Sequence, residues 1–130
     1  MNMLKAYEQT SRATASPRQA LLLLYDHAII NLTQCEHIVA NNHGRGAYKH
    51  FIRAQEIITG LANGLSYEGK LKEISTRLFS LYHYMISKLS QVNLEGGDTS
   101  SLVEVRRMLE ELRASWEKAQ VTPGIDTQIQ

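Results

Sequence analysis

Apolar residues in this chain recur at alternating steps of three and four, in four separate runs. Leu21, Tyr25, Ala28, Leu32, Cys35 and Val39 share one helical face in the first run. Ala47, Phe51, Ala54, Ile58, Leu61 and Leu65 repeat the pattern in the second. The third carries Leu71, Leu78, Tyr82, Met85, Leu89 and Val92, and the fourth Leu102, Val105, Leu109, Leu112 and Trp116. No stretch alternates with the two-residue period of a strand.

Turn signals divide the runs. The first opens at Ser16-Pro17-Arg18-Gln19, where serine caps free N–H groups, proline suits the first helical position and Gln19 completes a capping box. It should end near Asn41-Asn42-His43-Gly44, and the second near Gly64. The third is expected from about Gly69 to Val92, before the breaker Glu95-Gly96-Gly97-Asp98. Ser101 and Glu104 suggest a second capping box for the fourth. The pattern predicts an all-α fold, an antiparallel up-down four-helix bundle over residues 16–119. Residues 1–15 are expected to be a mobile N-terminal segment and 120–130 a disordered tail.

A bundle helix needs an apolar stripe a little over ~100° wide. The fourth run fits. The third does not, because Phe79 and Ile86 lie on one flank and Leu81 and Tyr84 on the other, widening its apolar arc to roughly 220°. Leu23 and Ile30 likewise sit outside the first stripe. Two helices with surplus apolar surface are awkward in a square arrangement, which points to a face awaiting a partner. Leu4 and Tyr7, one turn apart, could present both side chains to such a groove as a lid.

Composition narrows the function. Fourteen basic and thirteen acidic residues leave a net charge of +1, with 43% hydrophobic and 21% charged residues, as in ordinary globular domains. The charges are interspersed, so nucleic acid is not an expected partner. No apolar run approaches a membrane span, so no membrane insertion is expected. A single cysteine, Cys35, and an N-terminus lacking the apolar core of a signal peptide place the chain in the cytoplasm.

Sites for chemistry are sparse. No glutamate is followed three residues later by histidine, which argues against the di-iron centres of other bundles. The five histidines, His27, His37, His43, His50 and His83, lack ligand spacing, so no metal and no cofactor is expected. Cys35 lies on a core stripe with no nearby cation to activate it. One alternative stands apart. His50-Phe51-Ile52-Arg53-Ala54 resembles the histidine phosphotransfer domains in placing a cation three residues after a histidine, which would make His50 a phosphoryl acceptor. Ala54 stands where a small glycine or serine is usual, and His50 falls in a first helical turn, so a solvated surface histidine is the expectation.

Five segments in order resemble a known family. They are Tyr7 nine residues before Ser16-Pro17, Leu22-Leu23-Leu24-Tyr25-Asp26-His27-Ala28-Ile29, Arg53-Ala54-Gln55-Glu56-Ile57-Ile58, Leu78-Phe79-Ser80-Leu81-Tyr82-His83-Tyr84-Met85 and Leu109-Glu110-Glu111-Leu112-Arg113-Ala114-Ser115-Trp116. From about Tyr7 to Ala119 the chain resembles the FliS-type flagellar secretion chaperones. It departs from them at Leu4, where a second tyrosine is common, at Gly69, where glycines are often paired, and at Val92, where alanine is usual.

The resemblance implies a cytoplasmic export chaperone, not an enzyme. It would bind the C-terminal region of flagellin, prevent premature polymerisation and deliver its client to the flagellar export gate. A second copy of the chain is a further candidate partner. The residues expected to touch a partner are Tyr7, Tyr25, Gln55, Tyr82, Tyr84, Met85 and Leu89, with core packing the competing expectation for Tyr82 and Met85. Tyrosine offers area and a hydroxyl, and methionine adapts to irregular surfaces. Asp26 and Arg113 are open between a mutual ion pair and partner contact, and Trp116 is expected in the core.

Overall fold

The computed structural model describes residues 16–42 and 45–119. The lid and tail expectations, with Leu4 and Tyr7, fall outside them. Four helices run along the chain: α1 (Pro17–Asn42), α2 (Tyr48–Asn63), α3 (Leu71–Ser90) and α4 (Ser100–Lys118), with a short 3-10 turn at Leu94–Gly96 before α4. Among the described residues no strand occurs and no helix is long and apolar enough to cross a membrane.

The capping box at the start of α1 is complete. The Gln19 amide N–H donates to Ser16 Oγ at 3.1 Å, and the Ser16 N–H donates to Gln19 Oε1 at 3.0 Å. The expected box at Ser101 is not made. Helix α4 begins one residue earlier, and Asp98 Oδ1 accepts from the Ser100 N–H at 2.9 Å. Asp98 lies just past Gly97, whose φ of 78° ends the 3-10 turn in a left-handed conformation that glycine tolerates best. The carboxylate nearest the free amides therefore wins over the serine downstream. Helix α3 starts two residues later and ends two earlier than expected, because the turns on each side consume those residues.

Each helix packs on its neighbours in sequence and α4 closes on α1, giving an antiparallel up-down ring with one shared core. The stripe residues meet at its centre. Tyr25, Ala28, Leu32, Cys35, Ala54, Ile58, Met85, Leu89, Leu102, Val105 and Leu109 are wholly or almost wholly buried. At roughly 25 cal/mol per Å² of apolar area, burying such side chains is the main force closing the ring.

The helices differ in length, and this shapes the bundle. Helix α1 has 26 residues and α2 only 16, about 39 and 24 Å at 1.5 Å per residue. His50, in the first turn of α2, meets Asn31 at the middle of α1 through an Nδ1 to Oδ1 contact of 2.9 Å. The last turns of α1 thus run past α2 and reach the 3-10 turn and the start of α4, where Glu36 pairs with Arg106.

Candidate functional site

Helix α3 separates cleanly into an inward face and two outward flanks. Ser75, Leu78, Tyr82, Met85 and Leu89 point inward and are buried. Leu81 and Tyr84 lie on the flank toward α4 and are 38% and 43% exposed. Ile74, one heptad before Leu81, is exposed too and extends the same strip by the helical repeat. On the opposite flank Phe79 is exposed and stacks on His83, with ring centroids 6.1 Å apart and planes 14° from parallel.

The strip on α3 faces an open seam. Leu81 lines a cavity of about 200 Å³ together with Met108, Glu111, Leu112 and Ser115 of α4. That volume is below the roughly 300 Å³ of a typical small-molecule site, so it suits inserted side chains. One end is closed by polar contacts: the Tyr84 hydroxyl donates to Glu104, and Lys88 Nζ stands 3.6 Å from the same carboxylate. Hydrogen bonding to that carboxylate holds the Tyr84 phenol above its ordinary pKa. The α3–α4 seam is the least extensively packed of the four.

Beneath it lies a polar relay across the core. Trp116 Nε1 donates to the Tyr25 hydroxyl at 2.9 Å, and that hydroxyl also meets the Tyr82 hydroxyl. Three helices are joined at one oxygen. Burial pushes the Tyr25 phenol up to about 12 and the Tyr82 phenol further still, so both stay protonated and able to donate.

The expected contact residues are divided by this arrangement. Tyr84 stands at the open seam, and Gln55 is half-buried on α2. Tyr25, Tyr82, Met85 and Leu89 are inside, each 2% exposed or less, and offer a partner no surface while the bundle is closed. They occupy the centre of the inward stripe, where four helices meet. Asp26 and Arg113 pair with each other, the second guanidinium contact being 3.3 Å. Trp116 is in the core as expected.

Cys35 is buried on the other side of the core, and burial together with the neighbouring Glu36 pushes its thiol up to about 11. His50 is not the solvated histidine expected. It is half-buried and its Nδ1–H donates to Asn31, whose Nδ2 in turn donates to the His27 carbonyl at 2.8 Å. Burial, with Lys49 and Arg53 beside it, lowers its pKa and favours the neutral ring. Among the described residues no group of three or more His, Cys, Asp or Glu is placed to hold a metal ion.

Periodicity alone missed the α4 half of the seam. Met108, Glu111 and Ser115 belong to no stripe, and Leu112 falls on the core stripe although it is only half-buried. Ile74, Tyr48 and Tyr67 are further exposed large side chains that the stripes did not mark as surplus.

Known proteins share this sequence pattern over nearly its full length. The flagellar protein FliS family matches residues 1–123. The flagellar secretion chaperone FliS of Salmonella typhimurium is 34% identical over 125 residues, covering 92% of this chain and 90% of its own. That of Bacillus subtilis is 30% identical over 118 residues, 91% and 86% of the two chains. That of Escherichia coli is 28% identical over 113 residues, 86% and 82%. With its four-helix ring and a match spanning almost every residue, the chain belongs to the FliS family of flagellar proteins.

Proposed function

We propose that this chain is a cytoplasmic export chaperone that binds the C-terminal region of flagellin, keeps it from polymerising early and delivers it to the flagellar export gate. The observation that carries the reading is the α3–α4 seam: an apolar strip of Leu81, Tyr84, Met108 and Leu112 with no catalytic group beside it. A helix in a groove is recognised through such strips, read by side chains three and four residues apart. A disordered client that folds on contact spends part of its contact energy on ordering, which suits a complex that must later release.

Tyr84 is the leading contact residue in this reading, with Leu81 and Met108 beside it, Gln55 on a neighbouring helix and Tyr7 on the N-terminal segment. Tyr25, Tyr82, Met85 and Leu89 enter it as the packing that fixes where α3 stands. The phosphotransfer alternative gains nothing from a His50 ring held against Asn31.

Titration calorimetry and far-UV circular dichroism with a flagellin C-terminal segment test the proposal. Saturable binding with helix gained beyond the sum of the components is expected. Absence of heat and of helix gain, with intact flagellin also inert, would refute it.

A further inference from the structure

The α3–α4 seam carries an electrostatic asymmetry that narrows what can occupy it. Helix α4 bears four glutamates that face a partner helix or solvent: Glu104, Glu110, Glu111 and Glu117. Three are neutralised. Glu104 pairs with Lys88, Glu110 with Arg106, and Glu117 with Arg113. Glu111 alone of the four makes no ion pair among the described residues, and it is the one that lines the apolar cavity with Leu81, Met108 and Leu112. The nearest cations in sequence do not serve it. Arg107 precedes it by one turn, the less favourable order for a helical pair, and Arg113, two residues on, is taken by Asp26 and Glu117.

An unpaired carboxylate at the lip of an apolar groove is costly to cover with an apolar helix, because docking would strip its water without giving it a partner. A lysine or arginine solves both demands at once: its aliphatic stem lies on Leu81 and Met108 and its charged head reaches Glu111. Resting on the client reading above, we infer that the seam takes an amphipathic helix of the client bearing a basic residue at the edge of its apolar stripe, and that Glu111 is the residue that reads it. Glu111 then selects the register in which the client docks, since a shift by one residue would swing the cation off the carboxylate. Its exposure at the rim means that it acts mainly on association rate and salt dependence.

The test uses the full chain and a flagellin C-terminal segment, with Glu111→Gln, Glu111→Lys and the control Glu73→Lys, a carboxylate outside the cavity. At low salt, Glu111→Lys should weaken binding roughly fivefold or more, Glu111→Gln less, and Glu73→Lys little, with the differences shrinking as salt rises. Replacing the client's basic residues one at a time by glutamate should yield one segment that binds Glu111→Lys better than it binds the wild type. Wild-type binding that is indifferent to Glu111→Lys, or the lack of any client exchange that rescues it, overturns the inference while leaving the chaperone reading intact. A wild-type chain that does not bind the segment at all refutes both. Circular dichroism melts of each variant separate a binding effect from a folding one.

Discussion

Two seams of the same ring are built on opposite plans. Between α1 and α4 the helices are bound along their whole length: Arg18 holds the last carbonyls of α4, Asp26 meets Arg113, and Glu36 meets Arg106 in a two-pronged pair. The Arg18 contact places a cation at a helix C-terminus, where the exposed carbonyls and the macrodipole favour it. Between α3 and α4 the polar ties among the described residues gather at one end, around Glu104, and beyond them lies a trough lined by Leu81, Met108, Glu111, Leu112 and Ser115. The chain keeps its stability along the α1–α4 seam and its availability along the α3–α4 seam. Each tie contributes modestly, but a seam closed by two ion pairs and the Arg18 clamp leaves no room for a guest.

Substitutions should behave differently on the two sides. The largest loss is expected at the centre of the closed side. Leu32→Ala, at a wholly buried position of α1, should cost about 3 kcal/mol, measured by urea unfolding. Next is the relay. Tyr25→Phe strips partners from both the Trp116 indole N–H and the Tyr82 hydroxyl, and should cost about 1 to 3 kcal/mol with a change in tryptophan fluorescence. Arg113→Ala follows, at about 1 kcal/mol, since the pair with Asp26 is only partly buried.

On the open side the order reverses. Leu81→Ser should change stability by less than about 0.5 kcal/mol, because the side chain already meets solvent, yet weaken client binding about tenfold. Equal losses of stability at Leu81 and Leu32 would erase the contrast between the seams.

The smallest effect sharpens the picture at α2. The His50 pKa in the folded chain is lowered, so the unfolded chain binds its proton first as pH falls. Stability from this group is therefore fully present above the ordinary histidine pKa of about 6.5 and declines as pH drops through it. Unfolding of His50→Gln compared with the parent between pH 7.5 and about 5.5 should show the parent losing more stability than the variant. A parent that gains on acidification would contradict the sign.

The sequence made the fold legible because each helix carries its own instructions. The Ser16–Gln19 box and the three-four spacing of Leu21 to Val39 act within single helices, and both appear in the structure. Surplus on α3 was also readable, since Leu81 and Tyr84 fall outside a stripe that Leu78, Tyr82 and Met85 define. The site was only half legible. Whether Leu112 is core or rim depends on the gap between two helices, and no spacing within α4 encodes a gap. The Tyr25–Tyr82–Trp116 relay needs three distant segments brought to one point, as does the His50–Asn31 bond. The stripe itself put Tyr82, Met85 and Leu89 on the inward face, and the four helices enclose them there.

In the proposed function the α3–α4 seam, and not the α1–α4 seam, receives the client. Amide hydrogen exchange of the chain with and without a flagellin C-terminal segment tests it directly. Added protection is expected in α3 around Leu81–Tyr84 and in α4 around Met108–Leu112, with the buried α1 stripe unchanged. Protection gained instead along the outer face of α1 around Leu23 and Ile30, with α3 and α4 unchanged, would contradict the account.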